Sequence, residues 1–244
     1  NMKRNKPDGE DAASGEGETK AAIIDGKAMA ATIRGEIAVE VKQLTEKLGR
    51  APGLAVVIVG ERKDSQTYVR NKVRACGECG IASQTIELPE NVSEEEVVKR
   101  VKALNEDASL DGILVQLPLP KHIDEAKVLD CISVDKDVDG FHPTNIGLLA
   151  MRGREPSAKP CTPAAIIEIL SRSGVPITGA LAVIVGRSNV VGMPVAHLLL
   201  QRDATVQILH TKTPKEEVER AIRSADILVA CAGQARVVKG EWVK

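Results

Sequence analysis

The chain has 244 residues, 43% hydrophobic and 27% charged, with a net charge of −1. Such a composition describes a globular protein of one large or two small domains, without the basic excess of nucleic-acid or membrane-surface binders. No apolar run is long enough to span a bilayer, and a single Trp, Tyr and Phe argue against base-stacking platforms.

Residues 1–20, "NMKRNKPDGEDAASGEGETK", lack apolar periodicity and predict a disordered tail. Their acids do not suit a transit peptide, so a cytoplasmic location is expected, with plastid and mitochondrion as alternatives. The five scattered cysteines fit a reducing compartment better than a disulfide framework.

From residue 21 onward, strands and helices alternate. Buried strands are predicted at 21–24, 54–60, 82–88 and 112–119. A helix over 27–48 carries Met29, Ile33, Ile37, Val41, Leu44 and Leu48 at helical spacing, and another over 66–79 carries Val69, Val73 and Cys76. Ser93 with Glu96 forms a capping box ahead of a third. This rhythm implies βαβ units and a mainly parallel sheet, hence an α/β fold.

On the second helix Tyr68 and Lys72 stand four apart and share a face. Spacing alone favours a helix edge, where a Tyr packs and a Lys snorkels, over a reactive pair. Cys76 and Cys79 form a C-x-x-C with no second pair at zinc spacing, and read as structure. Gln116, inside the apolar "GILVQLPLP", needs a hydrogen-bond partner; a satisfied core amide and a site residue both fit. Asp135, Asp137, Asp139 and Gly140 open like a calcium loop, but Ile146 stands where the bidentate Glu belongs and Pro143 interrupts it. An acidic turn with one functional carboxylate or none is left, and no metal site is expected.

The segment "LLAMRGREPSAKPCTP" (148–163) breaks the rhythm and places a domain boundary near 150–162. A new helix then begins with Thr162 as N-cap and Pro163 at the first helical position, ending near Gly174. Strand 181–186, helix 191–201, strand 205–209, a helix opened by a Thr213/Glu216 capping box, and strand 226–231 follow. "VIVGRSNVVGMP" runs strand, glycine turn, helix: Gly186 ends the strand, Gly192 permits close packing, and Ser188 replaces the usual second glycine. Backbone N–H groups at that helix start suit a pyrophosphate. Strand 205–209 ends in His210-Thr211-Lys212-Thr213, without the acid that holds the ribose in NAD sites. With Arg187, these residues offer cations and hydroxyls to a 2′-phosphate, which points to NADP. Short-chain dehydrogenases also use Tyr-x-x-x-Lys, but after the glycine turn of a single domain; here Tyr68 precedes Gly186 and lies in another domain.

Together, "SQTYVRNK", "DGILVQLPLP", "KDVDGFHPTNIG", "PCTP" and "VGRSNVVGMP" make the chain resemble the bifunctional methylenetetrahydrofolate dehydrogenase/methenyltetrahydrofolate cyclohydrolase (FolD-type) family, its plant members most of all. The resemblance runs through residues 21–244 and implies a two-domain enzyme, 21–155 binding folate and 156–244 a Rossmann-like NADP-binding domain. It implies that Lys72 is catalytic, that Tyr68 lines the folate, that Gln116 tunes the lysine, and that Leu117 and Asp139 contact substrate. Gly186, Arg187 and Ser188 are implied to hold NADP, and the reading of the turn and strand end adds Gly192, His210 and Thr211. It further implies tetrahydrofolate derivatives as substrates and a homodimer.

Two departures stand out. Ala164-Ala165 replaces the family's usual Lys-Gly, and the chain stops at Lys244, soon after the third strand of the nucleotide domain. On that basis the chain is expected to be a fragment with impaired activity. A non-catalytic folate- and NADP-binding module and a monofunctional cyclohydrolase are the rival readings.

Overall fold

The computed structural model describes residues 21–244; the expected tail at 1–20 lies outside the described residues. Two parallel three-stranded sheets each carry helices on both faces. The first is ordered β2-β1-β3, from β1 (Gly53–Val59), β2 (Ala82–Leu88) and β3 (Gly112–Val115); the second is ordered β5-β4-β6, from β4 (Leu181–Val185), β5 (Thr205–Leu209) and β6 (Ile227–Ala230). In both, the first strand is central and the chain crosses it on the way to the third, which opens a crevice at the strands' carboxyl ends.

The helices are α1 (Gly26–Leu48), α2 (Lys63–Cys79), α3 (Glu94–Glu106), α4 (Glu125–Leu129), α5 (Pro143–Ala150), α6 (Cys161–Arg172), α7 (Gly192–Gln201) and α8 (Lys215–Ser224). Side chains of β1 alternate between its faces. Ala55, Val57 and Val59 pack with Val97, Val101 and Leu104 of α3, while Val56 and Ile58 pack with Val69 of α2. Leu149 of α5 lies in the core of the second sheet, beside Ile167, Ile184, Val195 and Leu199.

Several local expectations need correction. Residues 21–24 form no strand. Strand 112–119 ends at Val115, because Pro118 and Pro120 cannot donate to a ladder; Gln116 lies just past it, its N–H still on Val57 O at 2.8 Å. Pro143 opens α5 rather than merely interrupting a loop, since its fixed φ suits a first turn, and His142 Nδ1 caps the amide of Thr144 at 3.1 Å. The N-cap of α6 is Pro160, not Thr162. Thr213 does not cap α8: its Oγ1 accepts from His210 N at 3.0 Å, and the helix starts after Pro214. Along α1 only Val41 is buried, because this helix packs mainly on α2, with Glu36 reaching Arg172 of α6, and leaves Ile37, Leu44 and Leu48 exposed. The Ser93 cap is present, its Oγ accepting from Glu96 N at 3.3 Å.

Arg50 ties the entry of β1 to that of β3. Its guanidinium donates to both Asp111 oxygens at 2.7 and 2.8 Å, and Gly53 N donates to the same carboxylate at 2.8 Å. These hydrogen bonds, the Arg50 fork foremost, hold the Asp111 carboxyl down at about 2. An unfolded aspartate titrates near 4, so the stabilisation is complete above about pH 4 and is lost as pH falls towards the folded value. We therefore expect the melting-temperature gap between the native chain and Asp111→Asn to narrow below about pH 4. The gap itself is modest, since the pair is half-exposed. A gap that stays constant on acidification contradicts this account.

Candidate active site

The first group of candidate residues lies around the end of β1 and the start of α6. The chain leaves β1 through Gly60, at φ 78°, and enters α2, where Tyr68 is 63% exposed and Lys72 is half-buried one turn later. Val69 is buried and Val73 half-buried, so the packed stripe runs beside Tyr68 and Lys72 rather than through them. Among the described residues Lys72 makes no ion pair.

Asp139, far along the chain, lies near enough to Lys72 to feel its charge, with no ion pair between them among the described residues. Burial pushes the Asp139 carboxyl above the ordinary aspartate value, while the Lys72 ammonium and the Cys161 thiol pull it back. Cys161 Sγ lies 3.7 Å from Asp139 Oδ1 and 3.8 Å from Val138 O. Desolvation, then the neighbouring Asp139 charge, pushes that thiol up, and Lys72 opposes the shift. Three groups of opposed tendencies thus share one spot. Cys161 escaped the sequence reading as a site residue: it stood in "PCTP", with nothing local to tie it to Asp139.

Gln116 sits at the crevice end of β3. Its Nε2 donates to Leu117 O at 2.8 Å, but Oε1 is buried without a hydrogen-bond partner among the described residues. An orphaned amide oxygen of this kind costs stability, and an incoming donor would recover it. Leu117 follows, half-buried.

Asp137, two residues before Asp139, has a different part. It is 3% exposed and accepts from Phe141 N, His142 N and Asn145 Nδ2, so its oxygens are committed inside the fold.

The second group surrounds the turn after β4. Gly186 has φ 131°, and a Cβ there would meet Cys231 O and Sγ at 2.9 Å. A Cβ on Gly192 would lie 2.5 Å from Gly186 O and 2.8 Å from Arg187 Cα. Both positions demand glycine, and the turn closes as tightly as a phosphate cradle requires. Ser188 Oγ accepts from Val191 N at 3.2 Å and Gly192 N at 3.4 Å, which orders the start of α7. Among the described residues, the amides of 187–190 find no protein acceptor and remain available to an anion. Arg187 is exposed. At the end of β5, His210 Nδ1 accepts from Lys212 N at 3.2 Å, which shapes a tight turn with Thr211 and Lys212 exposed and no acid in it.

Two doubly covered parallel sheets, one ending in a glycine cradle and the other beside a lysine and two acidic groups, define a two-domain α/β enzyme of the nucleotide-dependent dehydrogenase class. Comparison with known proteins narrows this. The model for the tetrahydrofolate dehydrogenase/cyclohydrolase catalytic domain matches residues 24–139, and that for the same family's NAD(P)-binding domain matches residues 160–244. The Arabidopsis thaliana protein named Bifunctional protein FolD 2 is 60% identical over 224 residues, covering 92% of this chain and 74% of its own length. Bifunctional protein FolD 4, chloroplastic, from the same plant, is 55% identical, and the match covers 92% of this chain and 62% of that protein, under two thirds of its length. The crystal structure of Trypanosoma brucei N5,N10-methylenetetrahydrofolate dehydrogenase-cyclohydrolase (FolD), complexed with NADP cofactor and inhibitor, superposes with a TM-score of 0.88 at 45% identity, covering 92% of this chain and 76% of its own. The chain belongs to the bifunctional tetrahydrofolate dehydrogenase/cyclohydrolase family, FolD, and carries the family's NAD(P)-binding domain.

Proposed function

We propose that this chain carries out the two reactions for which its relatives are named: NADP-dependent oxidation of 5,10-methylenetetrahydrofolate to the 5,10-methenyl form, and hydrolysis of that product to 10-formyltetrahydrofolate. The observation that carries the reading is the buried, unpartnered Gln116 Oε1 at the carboxyl end of the first sheet, in the same chain as the tight glycine turn after β4. We place the catalytic and folate-binding domain at 21–155 and the NADP-binding domain at 156–244.

In this reading Asp139 anchors the pterin, because a carboxylate accepts two parallel N–H bonds from an amino-pyrimidine. Tyr68, exposed and one turn from Lys72, lies along the folate, with Leu117 as a further contact. Gln116 gives its unpartnered Oε1 to Lys72 or to the substrate. The glycine turn would hold the dinucleotide through Gly186, Ser188, Gly192 and the free amides of 187–190, with Arg187, His210 and Thr211 at its 2′-phosphate. When bound, the dinucleotide supplies the hydride acceptor. The protein has only to align the methylene carbon for that transfer. In the hydrolysis, Lys72 takes a proton from the water that adds to the cationic methenyl carbon; the C–N5 bond of the adduct then breaks as its hydroxyl proton passes to N5, which leaves the formyl group on N10.

The test is binding of NADP⁺ and tetrahydrofolate to one purified chain, with NADPH formed from methylenetetrahydrofolate in a single turnover. A chain that binds neither ligand overturns the reading; binding of both without turnover supports a non-catalytic module instead. The Arg187→Ala variant is expected to lose NADP⁺ affinity while NAD⁺ affinity stays unchanged, and an equal loss for both defeats the 2′-phosphate assignment. We also assign the protein to a homodimer and to the cytoplasm, with the plastid and the mitochondrion as the alternatives that relatives named chloroplastic and mitochondrial bring in. No helix among the described residues is long and apolar enough to cross a membrane.

A further inference from the structure

Two buried polar side chains without a part in the proposed chemistry occupy the joint between the sheets. Asp137 is 3% exposed and Asn145 fully buried. Asp137 Oδ2 accepts from His142 N at 2.8 Å and from Asn145 Nδ2 at 2.9 Å, and Oδ1 from Phe141 N at 3.3 Å. Asn145 Oδ1 accepts in turn from Ser157 N at 3.0 Å. One relay therefore ties the turn 137–142, helix α5 and the segment that leads into α6.

That segment closes on the turn that bears Asp139. A Cβ on Gly140 would meet Lys159 C at 2.7 Å and Ala158 O at 2.8 Å, and two residues further on Cys161 faces the Asp139 carboxylate. On the near side, the Lys136 ammonium donates to Asn105 O at 2.7 Å and Asp107 O at 2.8 Å at the end of α3. Asp139 thus stands between two anchored stretches. An apolar side chain would fill the space of Asp137 without its desolvation cost; a hydrogen-bonded relay fixes directions that apolar contact leaves free.

We propose that Asp137 and Asn145 are positioning residues for the Asp139 carboxylate, acting on folate binding from behind it. The proposal rests on the reading of Asp139 as the pterin anchor. It is tested with Asn145→Ala, Asp139→Ala and the double variant, through calorimetric dissociation constants for tetrahydrofolate and NADP⁺. Asn145→Ala is expected to weaken tetrahydrofolate roughly tenfold, as misplacement of a binding group by a fraction of an ångström to an ångström does. NADP⁺ affinity stays unchanged, and in the Asp139→Ala background the same substitution has no further effect. Loss of equal size in both backgrounds, or equal loss for NADP⁺, means a merely structural role and overturns the proposal. Unchanged tetrahydrofolate affinity in Asn145→Ala overturns it as well. If Asp139→Ala alone leaves tetrahydrofolate affinity intact, the anchor reading itself fails, which is a different result. Asn145→Ser, which keeps a polar group there, repeats the comparison if the alanine variant does not fold.

Discussion

Replacing Lys72 by Met is expected to slow hydrolysis of 5,10-methenyltetrahydrofolate by roughly 10²–10⁴-fold, the usual contribution of a positioned proton acceptor. Met matches the length of the Lys stem, so the half-buried position on α2 stays filled and the helix keeps its packing through Val69. Lys72 makes no ion pair among the described residues, so its removal breaks no direct salt bridge. It does take a positive charge away from Asp139 and Cys161, so both groups move further above their ordinary values. NADP⁺ affinity, set on the other sheet, is expected to be unchanged. The decay of methenyl absorbance measures the first effect and nucleotide calorimetry the second; hydrolysis at the native rate would remove Lys72 from the mechanism.

Gly192→Ala is expected to lower NADP⁺ affinity by more than roughly tenfold, with tetrahydrofolate binding retained. The added methyl would sit 2.5 Å from Gly186 O and 2.8 Å from Arg187 Cα. Both obstacles are backbone, so no side chain can turn aside; the turn itself must open, and its amides lose their common aim. Buried Val195 and Leu199 hold α7 against the sheet, so the displacement falls on residues 186–190. Native NADP⁺ affinity in this variant would show that the turn does not carry the phosphates.

How far the sequence reached follows from what each signal depends on. Strands β1, β2, β4 and β5 were readable because each is a short apolar or β-prone run bounded by breakers, and β2 and β5 fall on the predicted residues. The stripe on α1 misled, since periodicity reports a face that could be buried and only Val41 is. Helix α5 stayed hidden because Pro143 breaks helices except in the first turn, which is where it lies. Within "DKDVDG" three carboxylates look alike, and only Asn145 and Ser157, far along the chain, give Asp137 its separate part. The glycine turn was legible because its demands are local, whereas the approach of Asp139 and Cys161 to Lys72 is set by tertiary folding.

Gly140 carries one more implication. Where it meets residues 158–160 the two stretches of main chain touch with no side chain between them. Any side chain at this position would push the two stretches apart and so separate Asp139 from Cys161, which flank the contact on either side.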